Sequence, residues 1–188
     1  MQKAILFFTV VVAMGNHCLF GQDTDSDSHN LIISFPEVAL IDIEANNGTE
    51  VEFEISSSGI EAGEALVIHD QRDELWINYT SLIASDGTQR SISVEAGPMP
   101  EIPGLVISLE AKNHSGNGGG DFGLPTPSIQ PSSSPTNIIT GIGSAYTGDG
   151  SANGHQLVYS LDFEGEISDL SFADELSTSI LMTYTITD

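Results

Sequence analysis

Residues 141–163 read GIGSAYTGDGSANGHQLVYSLDF. The first half is rich in Gly, Ser, Asp and Asn. In the second half Leu157, Tyr159, Leu161 and Phe163 fall on one side of an extended chain, and Val158, Ser160 and Asp162 on the other. Side chains of a strand point alternately to opposite faces, so 157–163 is expected to be a half-buried strand. Gly148-Asp149-Gly150 and Asn153-Gly154 supply the residues that tight turns need, so the stretch before it is expected to be a loop.

The same period recurs along the chain. In Glu50 to Ser56 (EVEFEIS), Val51, Phe53 and Ile55 oppose Glu50, Glu52 and Glu54. In Leu75 to Ser81 (LWINYTS), Leu75, Ile77 and Tyr79 share one face, and Trp76, Asn78 and Thr80 the other. Arg90 to Ala96 puts Ile92 and Val94 inward. Leu105, Ile107 and Leu109 mark another strand, as do Ile138, Thr140 and Ile142. Ser179 to Thr187 places Ile180, Met182, Tyr184 and Ile186 together. Shorter runs lie at 31–35, 38–43 and 66–68, with a poorly formed one near 128–130; Ser168 to Glu175 is ambiguous. No window of helical period stands outside the first 21 residues. About nine short strands between Gly, Pro and Asn turns predict an all-β, antiparallel β-sandwich of Ig-like or pilin-like kind. A sandwich tolerates irregular connections better than a barrel, and 97–104 and 113–137 are both irregular.

The start of the chain reads as an export signal over 1–21. Lys3 precedes the apolar run Ala4 to Met14, which is too short to span a bilayer. Cleavage after Gly21 would leave no cysteine. Cys18 offers a lipoprotein reading instead, although His17 fits a lipobox badly. Residues 22–30 (QDTDSDSHN) read as a disordered acidic leader. Asp23, Asp25 and Asp27 alternate as in a calcium loop, but Ser28 and Ser34 stand where that loop needs Gly and Glu. Residues 31–188 read as one domain with a long Gly/Pro/Ser surface loop at 113–137, because the stretch after that loop is too short for a core of its own. No second apolar run approaches membrane-spanning length, so no membrane span is expected.

Charge excludes one class of partner. There are 27 Asp and Glu against four Lys and Arg, a net charge of −23, and Lys3 leaves with the signal. Such a surface repels phosphate backbones, so nucleic-acid binding is not expected. It is suited to solvation outside the cell, to divalent cations, or to a basic partner.

Catalytic constellations are not apparent. His29, His69, His114 and His155 show no metal-ligand spacing and no nearby cysteine. His69-Asp70 has the chemistry of a base beside an acid. It reads more simply as a strand end entering the charged run HDQRDE, with Arg72 pairing Asp70, Asp73 or Glu74. No nucleophile elbow, phosphate loop or dinucleotide fingerprint occurs. The expectation is therefore a protein that is not an enzyme and needs no cofactor. Two binding readings stand beside it. Trp76 and Tyr79 are the candidate ligand-binding aromatics, for glycans stacked on a sandwich face; because they alternate, at least one of them should be buried. Asp149 and Asn153 are the candidate calcium ligands of the opening loop.

The segments LWINYTS, RSISVEA, NIITGIGSAYTG, HQLVYSLDF and the terminal MTYTITD together resemble small exported pilin-type β-sandwiches of bacteria, the chaperone–usher and spore-coat-U-like group, and exported proteins of Bacteroidetes-type bacteria on that plan. Pilins of this group commonly close on an alternating Thr- and Tyr-rich strand, as 183–187 does. Many also carry a disulfide, which a chain cut after Gly21 lacks. The resemblance implies a secreted structural or adhesive role at the periplasm, cell surface or exterior, without catalysis. It also implies that Leu31, Ile33 and Phe35 could complete a neighbour's sheet by strand exchange; the simpler reading makes them the first strand of their own domain. A carbohydrate- or calcium-binding module is the alternative function.

Overall fold

The computed structural model describes residues 25–55, 61–64, 68–99, 103–165 and 178–188. The expected signal, Cys18, Lys3, residues 66 and 67 of the 66–68 run and the whole 168–175 run lie outside these. The chain divides into two compact units, 1–34 and 35–188, and the two sheets belong to the second.

No helix occurs among the described residues. The strands are β1 (Val38–Ala45), β2 (His69–Leu82), β3 (Arg90–Ala96), β4 (Leu105–Ala111), β5 (Gly119–Gly120), β6 (Leu124–Pro125), β7 (Thr136–Ile142), β8 (Ala145–Tyr146), β9 (His155–Phe163) and β10 (Met182–Thr187). They form two antiparallel sheets, as the alternation predicts: an all-β, sandwich-like fold. One sheet has six strands and is organised on β2; the other runs β10-β3-β7-β6.

At 14 residues, β2 is the longest strand. β1 takes one of its edges over Leu75 to Leu82. The other edge pairs with β9 from His69 to Ile77 and then with β8 at Thr80 and Ser81. β4 lies beyond β9, and β5 beyond β8. A register shift between Arg72 and Leu75 puts an extra residue into β2 opposite β9. Such a bulge exchanges the faces of the strand on either side of it. Beyond the bulge Leu75, Ile77 and Tyr79 face inward, and Trp76, Asn78 and Thr80 lie on the other face.

The core joins the two sheets. Leu75, Ile77, Tyr79, Leu109, Leu157 and Tyr159 of the larger sheet meet Ile92, Val94, Ile138, Ile139 and Ile142 of the smaller. Each fully buried branched side chain contributes about 2 kcal/mol by its removal from water. The quoted strand obeys its period, with His155, Leu157, Tyr159 and Leu161 buried at alternate positions. β10 likewise turns Met182, Tyr184 and Ile186 toward the core.

Three expectations differ from what is found. Residues 31–35 form no strand; pairing begins at Val38, after Pro36. Residues 51–55 join no ladder, although Val51 and Phe53 still lean on the core. There a side chain replaces a strand partner, because Arg72 Nε donates to Glu52 O at 2.8 Å. The segment 113–137 is stitched into both sheets beyond the poorly formed strand expected near 128–130, where Ile129 does bridge Leu109. It contributes β5, β6 and a bridge from Ile129 to Leu109, and it lays Phe122 and Ile129 against the core.

Arg90 clamps the two sheets together at 4% exposure. It extends from β3 in the smaller sheet. Its Nε donates to Asp188 Oδ1 at 2.7 Å, and its Nη1 reaches Val38 O, Ser81 Oγ and Leu82 O in the larger sheet.

Candidate functional site

The polar residues of the quoted stretch divide between the interior and the surface. His155 is fully buried because it shares the inward parity of Leu157 and Tyr159. Its Nδ1 lies 2.8 Å from Lys112 O. A carbonyl only accepts, so Nδ1 carries the hydrogen and Nε2 is an acceptor. Tyr79 Oη, 3.2 Å away, donates to that Nε2 and accepts from Gly123 N at 3.3 Å. The rings of Tyr79 and His155 stack at 5.8 Å. His114 lies on Phe122 at 3.6 Å and meets His155 edge-on at 5.9 Å.

Thr147 ties this cluster to the loop. Its Oγ1 accepts from Tyr79 N at 2.9 Å, its N donates to Tyr79 O at 3.0 Å, and its carbonyl lies 3.2 Å from His114 Nε2. A side chain and one residue of backbone thus continue the β2 edge where β9 has ended. Burial holds the His155 pKa below the ordinary imidazole value, a direction that Lys112 O opposes. Burial also raises the Tyr79 hydroxyl to about 12. Both groups are neutral at pH 7 and shut off from water. Their chemistry is structural: they satisfy one another inside an apolar core.

Tyr79 therefore offers no surface to a ligand. Trp76 is half-buried on the opposite face of β2, between Glu44 of β1 and Gln156 of β9. Asp149 and Asn153 do not converge as a chelate. Asn153 Oδ1 accepts from Asn117 N at 2.8 Å, and its Nδ2 donates to Asp149 O at 2.7 Å. That amide fastens the loop. The glycines explain the loop's path: at Gly148 a Cβ would stand 2.1 Å from Asn117 O, with φ +86.

His69 and Asp70 are not paired with each other. His69 Nδ1 meets Asp162 Oδ1 at 2.5 Å on an exposed rim, while Asp70 holds Arg72 at 2.7 Å. Among the described residues no group of three or more His, Cys, Asp or Glu is placed to hold a metal. No helix among them is long and apolar enough to cross a membrane.

A shallow, open cleft of about 430 Å³ lies on the outer face of the larger sheet. It is lined by Leu40 and Asp42 of β1, Asn78 and Thr80 of β2, Tyr146 of β8, and Asp149. Ladder register assembles it: Leu40 stands opposite Thr80 and Thr80 opposite Tyr146, with Asp42 opposite Asn78. Asp42, Asn78 and Tyr146 were not singled out by the sequence reading. Alternation marks them as outward, but only the pairing of three distant segments brings them together. Comparison with protein-family models, curated proteins and solved structures finds no match to this chain.

Proposed function

We propose that this is an exported, non-enzymatic β-sandwich with a structural or adhesive role at the cell surface, on a pilin-like plan. The observation that carries the reading is the apolar stretch Leu31, Ile32, Ile33 and Phe35, exposed at 79%, 85%, 66% and 81%. None of these residues belongs to a strand. Large apolar side chains held in water in a row mark a surface that another chain covers. Leu31, Ile33 and Phe35 alternate in the sequence, a pattern that suits addition to a sheet edge. Among the described residues β1 pairs with β2 alone, which leaves an edge of the kind that accepts a strand.

The polar interior supports the non-catalytic part of the reading. The buried histidine and tyrosine bond to each other and to backbone, where no substrate reaches them. Sedimentation of the exported chain at rising concentration in physiological salt tests the proposal. Self-association is expected, with loss of it when Ile33→Asp and Phe35→Asp are combined. A chain that stays monomeric at every concentration overturns the assembly reading.

A further inference from the structure

The outer cleft carries a second inference, which deepens the adhesive reading and rests on it for a partner outside the chain. Its chemistry is one-sided. Asp42 and Asp149 present carboxylates at its rim, and no ion pair reaches either among the described residues. The three cationic side chains described are engaged elsewhere: Arg72 with Asp70, Arg90 with Asp188, and Lys112 with Glu110.

The lining residue Asn78 is only 5% exposed. Its Nδ2 donates to Gly150 O at 3.0 Å, and its Oδ1 is buried without a partner among the described residues. Thr80 and Tyr146 add hydroxyls that donate as well as accept, so the charge of the cleft is set by its two carboxylates. Tyr146 adds an aromatic wall at 59% exposure, seated over Gly119, where a Cβ would stand 3.1 Å from the ring. Leu40, an exposed apolar side chain, supplies apolar surface beside it.

This combination discriminates among ligands. An anion is repelled by two carboxylates. A dedicated metal site needs several converging oxygens, and no group of three His, Cys, Asp or Glu converges here. A sugar hydroxyl can bond Thr80, Tyr146 and the carboxylates, but it is neutral and leaves the charge of Asp42 and Asp149 unanswered. A guanidinium has five donors, no acceptor and a permanent charge, and it stacks on aromatic faces. Its methylene stem needs an apolar surface to lie along.

We propose that the cleft receives an arginine side chain of a basic partner polypeptide. A second copy of this chain is a poor source, since both of its arginines are buried or half-buried in ion pairs.

The test is a titration of the isotope-labelled full exported chain, at low salt, with acetyl-Gly-Arg-Gly-amide. The readouts are the NMR resonances of Tyr146, Thr80 and the Asn78 side-chain amide. The same peptide with citrulline keeps the shape and removes the charge. The expected result is saturable shifts confined to these residues with arginine and none with citrulline. Asp42→Asn with Asp149→Asn should weaken binding about tenfold or more, the loss of charge-assisted hydrogen bonds. Asn at 42 still accepts from Ile43 N, as Asp42 Oδ1 does at 2.8 Å, so the strand is kept.

Equal response to both peptides, shifts scattered over the acidic surface, indifference to the double substitution, or saturation of these resonances by methyl glucoside or calcium chloride in place of the arginine peptide overturns the proposal. Failure here leaves sedimentation through residues 31–35 unchanged, and a monomeric chain leaves the cleft unchanged, so the two readings fail separately.

Discussion

Arg90 Nε and Asp188 Oδ1 stand 2.7 Å apart, and through this pair the end of the smaller sheet is fastened to a side chain that also reaches β1 and β2. The arginine is buried and the carboxylate is 66% exposed, so the two partners differ in what their loss would cost. Removing the arginine strips carbonyls at Val38 and Leu82 of a charged donor inside the fold. Removing the carboxylate loses only a solvent-screened contact.

Arg90→Met should therefore destabilise by roughly 3 kcal/mol, and Asp188→Asn by less than about 1 kcal/mol. Chemical denaturation of the two variants beside the parent chain measures both. Equal losses would mean that the clamp acts through the exposed pair and not through the buried carbonyls.

Acid should weaken the fold through His155. Its folded pKa lies below the ordinary value, so as pH falls through about 6.5 the unfolded chain takes up a proton that the folded chain refuses. That contribution is complete above the unfolded pKa and declines as pH drops toward the folded one. His155→Gln should cost roughly 2 kcal/mol at neutral pH, because a buried hydrogen-bonded side chain is replaced. Its stability should also lack this acid-side slope. Denaturation midpoints of parent and variant between pH 5 and 8 give the difference curve.

Alkali acts through the tyrosines. Burial raises Tyr79 to about 12, and it also raises Tyr159 and Tyr184, whose hydroxyls bond to each other between β9 and β10. In each case the folded state keeps a proton that the unfolded state loses from about pH 10. Stability should be full below that pH and fall above it. Tyrosinate absorbance for these residues should rise in step with the loss of β-sheet circular dichroism. Ionisation of all tyrosines well before unfolding would contradict their burial.

Two glycines of the quoted loop make a matched comparison. Gly154 and Gly150 have nearly the same backbone angle, φ +82 and +85. A Cβ at Gly154 would stand 2.1 Å from Ile77 O, whereas at Gly150 it meets nothing within 4 Å. Gly150→Ala should cost only the left-handed penalty, about 1–2 kcal/mol. Gly154→Ala should cost well beyond that, because backbone must move, and the thermal midpoints of the two variants separate the effects.

Period-two patterning made most of the sheets legible, because burial on one face is a local property of each strand. The strict alternation of 157–163 extends one step further to His155, so its inward place was within reach of the sequence; the glycine-rich setting suggested a loop residue instead. Residues 51–55 show the limit. Their alternation is as regular as any, yet Arg72 meets the backbone there in place of a strand. The cleft was not legible for a different reason. Asp42, Asn78 and Tyr146 come together only through the register of β1, β2 and β8, and nothing local to any one of them encodes that register.

The extra residue between Arg72 and Leu75 has a consequence for how the chain can change over time. It shifts the phase of the longest strand halfway along, so the two halves of β2 agree only at one chain length. Substitutions there can be gradual. Loss or gain of a single residue would turn one half inside out, sending Leu75, Ile77 and Tyr79 toward water or the rim residues His69 and Gln71 into the core. Point changes are open to this strand, and length changes are closed.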